Sequence, residues 1–103
     1  MQKYFSDKEE KYEKIIGLLC KYKGLNREDL FKILRDQECK YLFYLLIKKY
    51  GCDDNMVIIQ KDFPTVNKNR IKNNLKKAEE KLLLNRKIRS MYFEAEDLIE
   101  KTD

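Results

Sequence analysis

Few residues in this sequence have the type and spacing to do covalent chemistry. It contains no histidine, which removes the usual general base and every Ser–His or Cys–His nucleophile pair. Its three cysteines, Cys20, Cys39 and Cys52, are far apart and form no C-x-x-C pair. A zinc site is therefore not expected, and the thiols read as buried or idle. Adjacent carboxylates include Glu9/Glu10, Asp53/Asp54 and Glu79/Glu80. Neighbours on a helix point in different directions, so none of these reads as an acid–base pair, and Asp53 and Asp54 suit helix caps. No glycine-rich loop is available to cradle phosphates. The expectation is a non-enzyme with no cofactor and no metal.

The chemistry that the sequence does concentrate is electrostatic. Between Lys61 and Lys77, six Lys/Arg stand against one acid, Asp62, and this local +5 equals the net charge of the whole chain. Everything outside that window sums to zero. Residues 63–83 (FPTVNKNRIKNNLKKAEEKLL) open with a turn-like Phe-Pro-Thr-Val and pass a cap candidate at Asn67. Apolar residues then recur at Ile71, Leu75, Ala78, Leu82 and Leu83, one stripe at helical period. The opposite face carries Lys68, Arg70, Lys72, Asn73, Asn74, Lys76 and Lys77, with no acid before Glu79. A helix with one apolar face and one cationic, amide-rich face suits an acidic partner, nucleic acid first. The competing reading is a solvated face in a Lys- and Asn-rich chain.

The elements that must position this face follow from the same pattern. With 103 residues, one domain spanning 1–103 is the prior, with residues 1–6 a frayed lead-in. Ser6 followed by Glu9 fits a capping box, so a first helix is expected over 7–23, with Tyr12, Ile15, Ile16, Leu19 and Cys20 inward and Gly24 as its stop. Asn26 is the next cap candidate, and Leu30, Phe31 and Leu34 continue the core face. Polarity rises over 36–40 (DQECK), where a kink or break is expected. Residues 41–47 (YLFYLLI) are the most apolar stretch; Lys48, Lys49 and Gly51 behind it make a helix C-terminal signature, so it reads as a central buried helix. Residues 54–62 read as a short helix with Met56, Val57 and Ile59 inward and Ile58 a further candidate, although Val-Ile-Ile is also a strand signal. Asn85 or Arg86 starts a last helix with the stripe Ile88, Met91, Tyr92, Ala95, Leu98 and Ile99. Its acids, Glu94, Glu96, Asp97 and Glu100, read as a solvated face. Glu80 lies in i,i+4 register with Lys76 for a surface ion pair.

The sum is an all-α, compact bundle of five to six helices containing a helix-turn-helix. The second helix of such a unit enters the major groove and presents its N-terminal residues to base edges. The groove candidates are Thr65, Asn67, Lys68, Asn69, Arg70, Asn73 and Asn74, because Arg suits guanine O6/N7 and Asn suits adenine N6/N7. Lys61, Lys72, Lys76 and Lys77 are the candidate phosphate contacts, which position without specifying.

Three stretches carry a resemblance to a known family. Residues 25–30 (LNREDL) match a helix start, residues 41–49 (YLFYLLIKK) an apolar central helix, and residues 59–63 (IQKDF) run without a gap into the recognition segment and Lys76-Lys77. In this order, from about Lys11 to Lys101, the chain resembles the C-terminal DNA-binding domain of the bacterial replication initiator DnaA, of the Trp-repressor-like helix-turn-helix superfamily. The resemblance implies duplex DNA as partner and the helix after Asn67 as the reader. The family's Gly-Gly-Arg-Asp-His-Thr-Thr-Val signature is replaced here by residues 64–71 (PTVNKNRI), and its base-reading positions fall on Asn67, Lys68, Asn69 and Arg70. The family's specificity is therefore not carried over. Its basic loop before the central helix is shortened here to the non-basic 36–40.

No apolar run approaches the roughly 18 residues a membrane span needs, and the polar N-terminus shows no signal peptide. A cytoplasmic protein is the expectation. The function expected first is a small DNA-binding protein or module acting as a regulator or accessory. The alternative is a helical protein-interaction module on the same fold that has lost DNA contact, its partner surface the acidic last helix or an exposed part of 41–50.

Overall fold

The computed structural model describes the backbone of residues 3–101 and the side chains of residues 8–101. Five α-helices, α1 (Lys3–Lys23), α2 (Gln37–Lys49), α3 (Met56–Asp62), α4 (Lys68–Leu84) and α5 (Arg86–Lys101), are joined by short connections, two of them holding 3-10 segments at Arg27–Arg35 and Cys52–Asp54. No strand occurs among the described residues, so the Val-Ile-Ile run in α3 is helical. The all-α expectation holds.

Helix α2 is the centre of the bundle. All of residues 41–47 are buried, and a helix apolar all round is stable only when neighbours cover every side. Here α1, α4, α5 and the first 3-10 segment do so. Asp36 starts α2 by accepting a hydrogen bond from the Cys39 backbone N–H at 2.9 Å, which places the expected break at 36–40 on its first residue. Gly51, at φ 72°, follows the helix end. At the end of α1, Gly24 sits at φ 63° while its N–H and that of Leu25 reach back to the carbonyls of Lys21 and Cys20. That pair of bonds is a Schellman stop.

The main core joins Tyr12, Ile15, Ile16 and Leu19 of α1 to Leu42, Phe43, Leu46 and Ile47 of α2, with Ala95 and Ile99 of α5. A second cluster, Tyr41, Leu45, Ala78 and Ile88, with Leu75 and Leu82 beside it, seats α4 and α5 on α2. Fully burying one such Leu, Ile or Phe side chain contributes about 1.5–3 kcal/mol. Cys20, Cys39 and Cys52 are buried free thiols, as read.

Several local expectations are corrected. Helix α1 begins at Lys3 and passes through Ser6, so Ser6 is not the first helix's cap; its side chain lies outside the described residues. Asn26 makes no side-chain cap bond, and the segment after it is 3-10 rather than α. At three residues per turn, positions i and i+3 eclipse, so Leu30 and Ile33 are the buried pair and Phe31 is exposed. Val57 and Leu83, expected inward, are 81% and 75% exposed, and Leu98 is also exposed.

Candidate nucleic-acid interface

The start of α4 is fixed from both sides. Phe63 is buried against Phe43, with ring centroids 4.9 Å apart, and Pro64 holds it out of helical geometry. The Val66 N–H then closes a turn onto the Phe63 carbonyl at 3.0 Å, and the Val66 side chain is fully buried. Gln60 of α3 donates to the Val66 carbonyl at 2.8 Å. Asn67, in extended conformation, caps α4 by accepting from the Arg70 N–H at 2.8 Å. Two buried apolar anchors and one cap therefore set where α4 leaves the core.

From there the helix turns Ile71 and Ala78 inward, with Leu75 half-buried beside them. Lys68, Asn69, Arg70, Lys72, Asn73, Lys76 and Lys77 are all exposed. Among the described residues, none of the five cations in that set is in ion-pair contact with a carboxylate. The Lys76–Glu80 pair is not formed among the described residues, although the i,i+4 pair Asp97–Lys101 is. Asp53 and Asp54 line a groove together with Lys48, Lys68 and Lys72.

The remaining candidates are placed differently. Thr65 is exposed in the connection, and its carbonyl accepts from the Arg70 guanidinium at 3.3 Å. Asn74 is half-buried and donates to the Arg70 carbonyl at 2.8 Å. Lys61, on α3, does not join the α4 face. It lines a cleft with Glu9, Glu13, Arg27 and Asp62.

That cleft holds a network not foreseen from the sequence. Arg27 grips Glu13 with both terminal guanidinium nitrogens, Nη2 at 3.0 Å, and Nη2 also reaches Asp62 Oδ2 at 3.0 Å. Tyr12 donates to that Asp62 oxygen at 2.7 Å. The Arg27 hydrogen bond holds Glu13 below the usual carboxylate range, while burial first, and then the Asp62 bond, push the Tyr12 phenol upward. The network pins α3, and so the approach to α4, onto α1. Its partners lie 14, 35 and 50 residues apart, so no local periodicity signals it.

The acids of α5 do more than face solvent. Glu96 pairs with Lys49 at 2.8 Å, Glu100 accepts from Tyr50 at 2.9 Å and Glu94 accepts from Tyr22 at 3.3 Å. Glu94, Asp97 and Glu100 are exposed, as read, and Glu96 is half-buried; three of the four also tie α5 to its neighbours, while Asp97 pairs within its own helix, with Lys101.

Among the described residues no helix is long and apolar enough to cross a membrane, and no group of His, Cys, Asp and Glu could hold a metal ion. Comparison with protein-family models, with curated proteins and with solved structures finds no match to this chain.

Proposed function

We propose that this chain is a small DNA-binding module, acting as a regulator or accessory, and that α4 contacts duplex DNA through residues 68–77. The observation that carries this reading is the one-sided state of α4: Lys68, Arg70, Lys72, Lys76 and Lys77 are exposed and outside every ion pair of the described residues. Elsewhere Lys23, Arg27, Lys49 and Lys87 each hold a carboxylate. Unpaired cations on one convex helix are free to displace counterions from a phosphate backbone. A helix with its side chains is about 10–12 Å across and fits a major groove about 12 Å wide. The short α3, the anchored turn and α4 then act as a helix-turn-helix of the Trp-repressor-like kind, with α4 as the recognition helix. The replaced signature leaves the target sequence of the DnaA-type domains behind.

Fluorescence anisotropy against a random duplex pool at two salt concentrations tests this. Affinity is expected to fall steeply with salt, by about 0.9 in log–log slope per phosphate contact. Absence of duplex binding even at about 50 mM salt would overturn the reading.

A protein-interaction module is the second reading, and its support is Leu83 and Leu84, 75% and 84% exposed at the end of α4. Of the surfaces first considered for a partner, 41–47 is buried, Lys48 and Lys49 are exposed, and three of the α5 acids are tied to α1, α2 and the residue after α2. Retention of a partner by the wild type and its loss on L83K/L84K, with no duplex binding by either, would favour it.

A further inference from the structure

Resting on that reading, we infer that Asn69 and Asn73 are the base-reading pair of α4 and that the bases they read are adenines. Four amides crowd the first half of this helix, and the structure separates them. Asn67 spends its oxygen on the cap bond from the Arg70 N–H. Asn74 is half-buried and spends its NH₂ on the Arg70 carbonyl. Asn69 and Asn73 are exposed, and neither side chain makes a hydrogen bond among the described residues.

Their placement fits this use. At ~100° per residue, Asn69 and Asn73 stand close together on the side of α4 opposite buried Ile71 and Ala78. Lys72 flanks them on one edge, and Arg70 and Lys77 on the other. A helix laid in a groove with this face down puts the amides over the base edges and the flanking cations toward the two phosphate walls. Glu80 falls on the same line two turns beyond Asn73 and would face the acceptor-rich floor and phosphates, so the contact ends before it.

The chemistry selects the base. A carboxamide offers one acceptor and one donor side by side. Adenine presents N7 as acceptor and N6–H₂ as donor in the major groove, so both bonds form at once. Guanine presents two acceptors, N7 and O6, and leaves the amide oxygen facing a like dipole. Four residues span ~6 Å along the helix, close to two base-pair steps of about 3.4 Å, so the two adenines lie about two positions apart.

The test uses the full chain and labelled duplexes that differ only in their cores, all A·T or all G·C. The wild type is expected to bind the A·T core on the order of tenfold more tightly or better. Replacing adenine by 7-deazaadenine removes the N7 acceptor, leaves the minor groove untouched and is expected to erase most of that preference. The N69A/N73A variant, altered only at exposed helix positions, is expected to bind both cores alike. Equal wild-type affinity for both cores, or a preference unmoved by 7-deazaadenine, would overturn the adenine assignment and leave the duplex contact standing. No wild-type binding to either core would overturn the duplex contact itself, so the two failures are distinct.

Discussion

Helices α4 and α5 are nearly equal in length, 17 and 16 residues, and both lay an apolar stripe on α2. They handle charge in opposite ways. The carboxylates of α5 are spent on Lys49, Tyr50 and Tyr22 of its neighbours. The cations of α4 are in no ion pair among the described residues, and only Arg70 makes a side-chain hydrogen bond, to the Thr65 carbonyl. Charge count alone does not separate the two helices into roles; the location of the counter-charge does. In α5 three acids find an intramolecular partner, Lys49 and two tyrosine hydroxyls, and so help to hold the bundle together. In α4 it is missing, so an external polyanion is the natural complement.

The comparison breaks most visibly if the α4 cations are removed. Changing Lys72, Lys76 and Lys77 together to Gln is expected to weaken duplex binding about 10²–10³-fold near 0.1 M salt and to flatten the log–log salt slope by roughly 2.7. Thermal stability should hold, because none of these side chains is in an ion pair. Salt-titrated anisotropy and a thermal melt on the same protein check both halves. A lower melting temperature with unchanged binding would mean that α4 uses its charges as α5 does.

The Arg27 network sharpens the contrast from the other direction, since its charges serve position alone. Arg27→Ala frees Glu13 and leaves Asp62, only 16% exposed, held by the Tyr12 hydroxyl. The Arg27 side chain is half exposed, so solvent screens its pairs, and a loss of about 1–2 kcal/mol is expected by chemical denaturation. Duplex affinity should fall only modestly, because α4 keeps its Phe63 and Val66 anchors.

The pH profile follows from the same groups. Glu13 is held low by the Arg27 hydrogen bond and Asp36 by the Cys39 backbone N–H. A carboxylate with a depressed folded-state pKa stabilises fully above its unfolded value, about 4, and that contribution is lost as pH falls through the folded value. Burial pushes Cys39 up to about 12 and Cys52 up to about 11. A raised folded-state value stabilises fully below the unfolded thiol value, about 8.5, and is lost as pH rises. With no histidine, melting temperature should be level between about pH 5 and 8 and decline on both sides. Circular-dichroism melts across that range check it, and a slope near pH 6.5 would contradict it.

Much of the fold was legible because it is written in local periodicity and caps. Asn67 and Asn85 cap α4 and α5 as their positions implied, and the apolar 41–47 run is the buried centre. What was misread came from treating adjacent apolar residues as one stripe. Consecutive helical residues differ by ~100°, so a half-buried Leu82 turns Leu83 outward, and Val57 lies nearly opposite buried Ile59. Phe31 was misread because the 3-10 geometry around it shortens the period to three. On α4 the sequence located the cationic face, but only coordinates separate amides engaged by the backbone from those left open. The α5 ties and the Arg27 network join residues distant in sequence, where charge patterning along a single helix carries no information.

The smallest effects draw the finest line, because one substitution can be made on both helices. Glu96→Gln on α5 removes the charge that meets Lys49 at 2.8 Å, where Glu96 is 17% and Lys49 40% exposed. The amide can still accept a hydrogen bond, so the expected loss is below about 1 kcal/mol of stability, with duplex affinity unchanged. Glu80→Gln on α4 removes an exposed charge with no ion-pair partner. Stability should stay within about 0.5 kcal/mol, while duplex binding should tighten a few-fold as repulsion at the end of the contact is relieved. Opposite readouts for one chemical change would tie the charge of each helix to its own task, α5 to the bundle and α4 to DNA. If Glu80→Gln shifts stability and leaves binding alone, the acids of both helices are structural, and the duplex contact must end before reaching Glu80 by more than a Debye length, about 8 Å.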